Sequence, residues 1–573
     1  MKTTSLICNG LVSLGLGVLA DPTVRQLGSP TVVIPSPDAT FLGAPLGLVE
    51  SFHGIPFAKP PVQSLRFNPA QPLDLNQSLG VVPALTVGAA CPQNLSPQLP
   101  AADLPPEVLA ALEALQNLTA QLPAPAIYSE DCLYLNVFRP AGIDSKAKLP
   151  VLFWMHGGGF EMGFTMTGEG VPMVTDSIGQ GKPIIFVAAT YRTNAFGFLG
   201  GKEVMDAGVA NLGLLDQRQA MRWVADNIEA FGGDPDKVTI WGESAGSISV
   251  FDHLVLYDGD NTYNGKPLFR AGIMNSGSVV PADTVDCDKA QKVYDQIVNE
   301  AGCSDSDDTL QCIRDVDYQI LYDAVATIPT FTSYRSIALD FMPRPDGKTM
   351  TKSPDQLVQE GKFTKVPIII GDEEDEGTLW SFTQGNITTT EEVAEYLGQY
   401  FFHHSTQDDM EDFVGTYQTI SEDGSPFRTG ELNNWYPQVK RISAILGDLA
   451  FTLSRRYFLD IRHAFDGQLK AWSYLSSYGY GTPIIGTIHG SDILHIVWST
   501  PYDYATHTMH SYYLSFIHDL DPNSNNLLSP NWPEYFDSKK LLNLYSTFGQ
   551  FINDDFRSDS YEWITNHIPQ LTM

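Results

Sequence analysis

Short, strongly apolar runs alternate with longer amphipathic segments along most of the chain. The runs are rich in β-branched and aromatic residues and end in glycine or polar turns, at residues 149–155, 184–190, 238–241 and 366–370. Such runs predict strands that are buried on both faces of a mostly parallel sheet. The stretch 213–231 has an apolar helical face made of Leu215, Ala220, Trp223, Val224 and Ile228. Strands that alternate with helices predict an α/β architecture.

One proline-rich segment, residues 91–132, departs from this alternation. Pro105 and Pro106 suit a helix start, and Pro123 suits a helix stop. Between them, apolar residues recur at spacings of three and four: Val108, Leu112, Leu115, Leu118 and Leu122. The pattern predicts an amphipathic helix. It is either an ordinary surface helix docked on the core or a lid that hinges over a site, and both interpretations stay open.

The start of the chain has the pattern of a secretory signal peptide. Lys2 precedes an apolar stretch at residues 6–20, which ends in the small-residue sequence Val18-Leu19-Ala20. A membrane anchor is the alternative, but the stretch is shorter than the roughly 20 apolar residues that a spanning helix needs. We therefore predict a signal peptide at residues 1–20 and a secreted, extracellular protein that forms one large unit, residues 21–573.

The charge balance narrows the classes of partner. The chain has 34 Lys and Arg against 67 Asp and Glu, a formal net charge of -33. Such a field repels phosphates and anionic lipid head groups, so we expect no nucleic-acid partner. Because no later segment is long and apolar enough to cross a bilayer, we also expect no membrane-spanning part.

Removal of the signal peptide leaves an odd number of cysteines. Cys8 is lost, and the remaining five are Cys91, Cys132, Cys287, Cys303 and Cys312. In an oxidising compartment disulfides persist, so one of the five must stay free. None of them has metal-ligand spacing with histidines, so the sequence predicts no metal and no cofactor.

Four Asn-x-Ser/Thr sequences occur in the chain. Asn76, Asn117 and Asn386 are candidate glycosylation sites in a secreted protein, whereas Pro97 makes Asn94 a poor acceptor. Asn117 lies inside the predicted amphipathic helix. A glycan there would have to lie on the outer face of that helix.

The run Gly242-Glu243-Ser244-Ala245-Gly246 follows a predicted strand directly. A Gly-x-Ser-x-Gly turn between a strand and a helix is so sharp that only small residues fit beside the serine, which leaves its hydroxyl exposed. The following residues begin a helix, whose N-terminal N–H groups favour developing negative charge. Ser244 is therefore the candidate nucleophile.

A glycine-rich loop precedes this serine in the chain. His156-Gly157-Gly158-Gly159-Phe160 comes directly after the apolar run 149–155. Acyl transfer develops an oxyanion, which backbone N–H groups can stabilise by about 3–4 kcal/mol per donor. The position of the loop matches the glycine-rich oxyanion loop of esterases. We predict Gly158, Gly159 and the N–H of Ala245 as the oxyanion donors.

The order serine, acid, histidine places the acid after Ser244 and beyond a strand. The run 366–370 leads to five competing carboxylates: Asp372, Glu373, Glu374, Asp375 and Glu376. The pattern does not choose among them, and we expect most of them to be solvated. For the base, His489 lies in a polar loop after a strand-like run, whereas His495 could equally be a core residue.

At this point the sequence resembles the type-B carboxylesterase and lipase family, which also includes cholinesterases. Four motifs in order carry the resemblance, at residues 52–61, 129–137, 227–235 and 242–246. The resemblance implies an α/β-hydrolase fold, Glu376 as the acid and His489 as the base. It also implies the disulfides Cys91–Cys132 and Cys303–Cys312, which leaves Cys287 unpaired.

Within this family the chain is most similar to secreted fungal lipases and sterol esterases of the Candida rugosa type. In those proteins the first disulfide loop is a lid over a long acyl tunnel, which the helix around residues 108–122 fits. The resemblance implies a hydrolase of long-chain esters that contacts lipid aggregates reversibly, or pairs with a second copy, through the lid face. A carboxylesterase for smaller soluble or aromatic esters is the alternative, and a non-catalytic recognition protein is the remote one. Tyr128 is the sole aromatic residue at 91–132, which disfavours choline esters.

Overall fold

The protein is described from a computed structural model, which covers residues 28–94, 105–119, 125, 127–165, 169–526 and 529–573. The predicted signal peptide and Leu122 lie outside these residues. The side chains of Leu112, Leu115, Leu118 and Asn117 also lie outside them, although their backbone is described.

The strands follow one another in chain order. They are β1 (Thr31–Pro35), β2 (Asp38–Leu42), β3 (Ala44–Leu46), β4 (Val49–Pro56), β5 (Gly80–Pro83), β6 (Tyr134–Pro140), β7 (Leu149–Met155), β8 (Ile185–Ala189), β9 (Gly233–Glu243), β10 (Thr262–Tyr263), β11 (Lys266–Pro267), β12 (Ala271–Asn275), β13 (Ile368–Glu373), β14 (Ala471–Ser476), β15 (Lys540–Leu544) and β16 (Gly549–Asn553).

The α-helices fill most of the intervals between strands. They are α1 (Pro106–Thr119), α2 (Gly170–Gly179), α3 (Asn194–Phe198), α4 (Lys202–Ala207), α5 (Leu212–Asn227), α6 (Ala245–Gly259), α7 (Asp288–Glu300), α8 (Thr309–Asp315), α9 (Tyr318–Val325), α10 (Pro354–Gln359), α11 (Thr390–Tyr400), α12 (Gln407–Gly415), α13 (Val439–Gly447), α14 (Leu453–Phe465), α15 (Tyr504–Asp519), α16 (Tyr535–Ser538) and α17 (Ser558–His567).

One sheet of eleven strands organises the fold, in the order β16-β15-β14-β13-β12-β9-β7-β8-β6-β4-β3. The strands from β8 to β15 run parallel to one another, and both margins of the sheet are antiparallel. Two smaller sheets, β1-β2-β5 and β10-β11, lie apart from it. The predicted α/β architecture is confirmed, and the four apolar runs coincide with β7, β8, β9 and β13.

The central strands are apolar on both faces because helices cover both faces. On one face, Phe153 and Ile240 share a core cluster with Phe251 of α6. On the other face, Trp154 and Trp241 share a cluster with residues of α15, and their rings meet edge to face at 4.6 Å. Burial on both sides explains why these strands read as continuous apolar runs rather than as alternating ones.

Two disulfides join the cysteine pairs that the family resemblance implied. Cys91 is bonded to Cys132, and Cys303 is bonded to Cys312. Cys287 is free and half-buried. Of the helices that are described, none is both long enough and apolar enough to cross a membrane.

A buried ion network ties β13 to the end of the chain. Arg455 of α14 pairs with Asp372 of β13 and donates two hydrogen bonds, of 2.8 and 3.0 Å, to Asp554. Arg456 and Tyr535 also donate to Asp554, at 2.6 and 2.7 Å. Burial disfavours the charged carboxylate, but the two arginines outweigh burial and hold the pKa of Asp554 well below its ordinary value. This network fixes the strand that leads into the acidic loop.

We expect Asp554→Asn to lower the free energy of unfolding by about 3–5 kcal/mol, because it leaves two buried arginines without their shared carboxylate. Asp555→Asn is the matched control. Asp555 is exposed next to Asp554, so its loss should change stability by less than about 0.5 kcal/mol. Urea denaturation of both variants measures the difference, and similar effects for the two would contradict the assignment.

The same network sets a pH dependence of stability. A carboxylate with a depressed pKa stabilises the fold above the pKa of the unfolded residue, about 4, and this stabilisation is lost as the pH falls towards the folded pKa. The difference in stability between the wild type and Asp554→Asn should therefore shrink as the pH falls below about 4.

Candidate active site

Ser244 lies in a sharp turn between β9 and α6. Its backbone has φ 57° and ψ -126°, a left-handed conformation that a side chain rarely adopts. Two glycines make the turn possible. A Cβ on Gly242 would lie 2.3 Å from the carbonyl of Gly246, and a Cβ on Gly246 would lie 2.1 Å from the carbonyl oxygen of Met155.

The structure brings together the predicted serine, histidine and acid. His489 Nε2 lies 2.8 Å from Ser244 Oγ, and His489 Nδ1 lies 2.6 Å from Glu376 Oε2. Glu376 Oε1 accepts a hydrogen bond of 2.8 Å from the backbone N–H of Glu373. A hydroxyl, an imidazole and a carboxylate in this order can activate a nucleophile.

These three side chains come from the carboxyl ends of parallel strands. Ser244 follows β9, Glu376 follows β13 and His489 lies in the connection after β14. In the sheet, β13 and β14 are neighbours, and β12 alone separates β13 from β9. Because parallel strands end at the same edge, residues far apart in sequence meet at one place.

The expectation that most of the acidic loop is solvated was wrong. All five carboxylates of the run 372–376 are buried. The reason is that each has its own partner rather than water. Glu376 is the one of the five that contacts His489.

The partners of the other four carboxylates are structural. Asp372 binds Arg455, and Glu374 forms a bidentate pair with Arg428. Glu373 accepts from Ser491, and Asp375 accepts from Ser425, Phe427 and Thr487. These contacts hold the loop in place around Glu376.

His495, the competing histidine, is part of the core. Its ring stacks on Tyr478 at 4.0 Å, and neither ring nitrogen has a hydrogen-bond partner among the described residues. Burial lowers the pKa of His495 to about 3, so the ring is neutral. His495 therefore does not form the hydrogen bond to Ser244 that His489 forms.

Two of the three predicted oxyanion donors lie beside Ser244. Gly159 and Ala245 line the same cavity as Ser244, and Gly158 begins the turn in which its carbonyl accepts from Glu161 and Met162. The backbone N–H groups of Gly158 and Gly159 donate no hydrogen bond to any described residue. Ala245 is the first residue of α6, where N–H groups lack partners within the helix.

The first residue of the glycine-rich run, His156, is buried and packs against Tyr191. The His156 ring stacks on Tyr191 at 4.1 Å, and Tyr191 Oη donates a hydrogen bond of 2.7 Å to the carbonyl of His156. Burial lowers the pKa of His156 to about 4, so the ring is an uncharged packing element.

More carboxyl groups surround His489 than the motifs indicated. Glu243 Oε1 lies 3.5 Å from His489 Nε2, and Asn275 connects to the site by donating to Asp492 at 2.7 Å. Sequence reasoning gave no role to Glu243 or Asp492, and it named Glu373 only as one of five competing carboxylates. Glu243 could have been found, because it adjoins the nucleophile within the motif, whereas the burial of Asp492 and Glu373 has no signature in the sequence.

Burial and charge act in opposite directions on the histidine. Burial lowers the pKa of His489, but the carboxylates of Glu376 and Glu243 outweigh it and raise the pKa to about 9. Burial also raises the pKa of Glu243 to about 8 and that of Asp492 to about 6. The surroundings thus favour the imidazolium that forms when His489 accepts a proton.

Comparison with known proteins assigns the chain to a family. The sequence profile of the carboxylesterase family matches residues 38–559. The chain belongs to the carboxylesterase family. This confirms the type-B carboxylesterase resemblance, and the protein is a carboxylic ester hydrolase.

Curated relatives match this carboxylesterase almost from end to end. It is 51% identical to "Secreted lipase 1" of Botryotinia fuckeliana, over 96% of this chain and 95% of the relative. It is 47% identical to "Secreted triacylglycerol lipase LIP1" of Gibberella zeae, over 95% and 92%. It is also 43% identical to "Lipase 2" of Diutina rugosa, over 98% of both chains. The predicted secretion is confirmed, and the protein is secreted.

A solved structure agrees with the fold. Aspergillus niger EstA superposes with a TM-score of 0.78 at 25% identity, over 95% of this chain and 99% of the other. The predicted α/β-hydrolase fold is confirmed.

An apolar cavity opens beside Ser244 in this carboxylesterase. Its lining bounds about 670 Å³ of non-atom space, part of which is open to solvent. It is lined by Gly159, Phe160, Ser244, Ala245, Ile248, Asp252, Val280, Phe331, Ile337, Leu339, Met342, Pro343, Pro354, Trp380, Ala450, Phe451 and Met573. A second apolar cavity, with about 580 Å³ of non-atom space that is partly open to solvent, adjoins it and shares four of these lining residues, Val280, Ile337, Ala450 and Met573.

Helix α1 lies within the loop that the Cys91–Cys132 disulfide closes. Val108, at its start, is fully buried and packs against Phe382, beside Leu379 and Trp435. Phe382 follows Trp380, whose ring centre is 5.4 Å from that of His489. The predicted helix therefore exists and docks next to the site. Whether it acts as a lid stays a prediction.

The described asparagines of the sequons differ in exposure. Asn76 and Asn386 are exposed, and Asn386 donates to Tyr334 Oη at 3.0 Å. Asn94 is buried and donates to the carbonyl of Ile328, in keeping with its interpretation as a poor acceptor. Within the described residues, no group of three His, Cys, Asp or Glu side chains is placed to hold a metal ion.

We expect Glu243→Gln to move the acid limb of the pH profile of ester hydrolysis to lower pH. A base must be neutral to accept a proton, so the rate rises as the pH passes the pKa of that base. Loss of the Glu243 carboxylate removes one group that favours the imidazolium, which lowers the pKa of His489. The pH dependence of kcat/KM on a soluble ester measures the shift. Glu360→Gln, at an exposed surface position, should leave the profile unchanged, and an unshifted profile for Glu243→Gln would contradict the electrostatic assignment.

Proposed function

We propose that this carboxylesterase is a secreted lipase that cleaves long-chain fatty acyl esters, triacylglycerols and sterol esters included, through an acyl-enzyme on Ser244. The observation that carries the proposal is the apolar cavity that opens beside Ser244 and shares four lining residues with a second apolar cavity. Each methylene group transferred from water into such a cavity contributes about 0.8 kcal/mol. A long chain therefore gains far more binding free energy from it than a short one.

The names of the relatives support the same substrate class. One relative is named a secreted triacylglycerol lipase and two others are named lipases. A carboxylesterase for smaller soluble esters is the second candidate. Such a substrate would contact fewer of the apolar residues that line the two cavities, so these linings favour the lipase.

In the proposed reaction Ser244 Oγ attacks the carbonyl carbon of the ester while its proton passes to His489 Nε2. The distance of 2.8 Å between these atoms suits direct transfer. Glu376 accepts the hydrogen bond from Nδ1, which orients the ring and stabilises the imidazolium. The carbonyl oxygen becomes an oxyanion, which the N–H groups of Gly158, Gly159 and Ala245 would hold.

The tetrahedral intermediate then collapses. The bond between the carbonyl carbon and the alcohol oxygen breaks, and His489 gives its proton to that oxygen. The acyl group remains as an ester on Ser244. A water molecule repeats the sequence, giving its proton to His489 and its oxygen to the carbonyl carbon, so that the fatty acid leaves and Ser244 regains its proton.

Helix α1 is proposed as a lid over this site. Among the described side chains of α1, Val108 docks the helix against Phe382, and a loop tied at its base by one disulfide can move as a unit. Opening would expose the apolar helix face and the cavity mouth, which would bind a lipid aggregate reversibly. A second copy of the protein is the other surface that could cover the same face.

Substitutions of Ser244 and His489 test the proposed mechanism. Ser244→Ala and His489→Asn should each lower kcat for a chromogenic ester by about 10⁴-fold or more, because the nucleophile and its base act as one unit. His495→Asn is the matched control and should keep the wild-type kcat, since His495 stacks in the core. Appreciable turnover by Ser244→Ala would disprove the mechanism.

The second prediction tests the substrate class and the lid together. Val108→Ala removes about 1.5 kcal/mol of packing from the closed helix, which corresponds to roughly tenfold more of the open form. Hydrolysis of a long-chain ester below its aggregation limit should rise several-fold relative to hydrolysis of the same ester above that limit.

Glu113→Ala controls for a general change in α1, because Glu113 is exposed on the same helix. Its ratio of the two rates should equal that of the wild type. A wild-type enzyme that shows no preference for long acyl chains would reject the lipase and favour the smaller-ester candidate.

A further inference from the structure

One carboxyl group interrupts the apolar wall of the cavity beside Ser244. Asp252 lines this cavity, and its side chain is 1% exposed. Its Oδ2 has no hydrogen-bond partner among the described residues. The indole N–H of Trp380 is likewise unpaired, but that ring lies beside His489 at the catalytic end. An unpaired polar group costs free energy when it is buried, so the position of Asp252 requires an explanation.

The helix places this carboxyl at a defined depth. Ser244, Ile248 and Asp252 are spaced four residues apart, share one face of α6 and all line the cavity. The backbone of α6 is regular until Val255. At 1.5 Å per residue, Asp252 lies about 12 Å beyond Ser244 along the helix axis. A long acyl chain that starts at Ser244 and follows this face would pass Asp252 near its middle.

The state of the carboxyl suits a neutral polar partner. Burial raises the pKa of Asp252 well above its ordinary value, which favours the protonated, uncharged form of the carboxyl. A protonated carboxyl donates one hydrogen bond through its O–H and accepts through its carbonyl oxygen. A hydroxyl group offers the complementary acceptor and donor, whereas an ionic group would have to bury its charge.

We propose that Asp252 is a specificity-determining residue that hydrogen-bonds a hydroxyl group carried at mid-chain by the acyl moiety. Hydroxylated long-chain acyl esters are then a favoured substrate class of this enzyme. The inference rests on the proposed function, because it requires the acyl chain to occupy this cavity. Plain alkyl chains also fit the cavity, but they leave the carboxyl unpaired.

The test compares two esters of the same chromogenic alcohol, ricinoleoyl and oleoyl, which differ by one mid-chain hydroxyl group. The wild type should prefer the ricinoleoyl ester by about tenfold in kcat/KM, the usual effect of one buried hydrogen bond. Asp252→Leu should abolish this preference. Asp252→Asn should keep most of it, since an amide also donates and accepts.

Ile248→Leu is the matched control, because it alters the same wall one helical turn nearer to Ser244 without changing its hydrogen bonding. Its preference should equal that of the wild type. Equal preference in the wild type and Asp252→Leu would overturn the proposal. Failure of the proposed function is a different result, namely a wild-type enzyme that does not hydrolyse the oleoyl ester.

A second measurement needs no variant. Ricinoleic acid should inhibit hydrolysis of a butyryl ester by the wild type about tenfold more strongly than oleic acid. Equal inhibition by the two acids would also overturn the proposal.

Discussion

The active site depends on how closely the backbone at Gly246 approaches the end of β7. The carbonyl oxygen of Met155 occupies the space that any side chain at Gly246 would need. This contact places the start of α6 directly against the strand that leads into the glycine loop. Ser244 and the predicted oxyanion donors therefore lie on backbone segments in direct contact, and this close packing holds Ser244 in its strained conformation.

The second organising feature is the burial of acidic groups around the histidine. Water would screen their charges, but the interior does not. Specific partners stabilise these groups instead. Asp372 and Glu374 each pair with a different arginine, and Asp375 accepts hydrogen bonds from backbone and hydroxyl donors. Glu376 is left to His489. The position of each carboxylate in the loop, and not its residue type, therefore decides whether it is structural or faces the site.

Local patterns predict the parts of this molecule whose structure is local. The apolar runs mark β7, β8, β9 and β13 because helices bury both of their faces. The Gly-x-Ser-x-Gly sequence marks the turn at Ser244 because its close contacts exclude larger residues.

The remaining features depend on contacts between distant residues. Residues 372–376 follow one strand and are alike in chemistry, so only the positions of Arg455, Arg428 and His489 in space distinguish them. Family resemblance, not spacing, pointed to Glu376. The role of Asp252 could not be predicted for a related reason. The sequence of a helix does not indicate whether a polar residue faces a cavity or water.

The scattered origin of the catalytic groups has a consequence for how the enzyme matures. Ser244 and His489 are 245 residues apart in the chain, and their hydrogen bond forms only when β9, β13 and β14 are all in register. Contacts of such high sequence separation form late, because the chain must first close long loops. The helices can therefore form while the enzyme is still inactive. Hydrolytic activity therefore indicates that the strands β9, β13 and β14 have assembled.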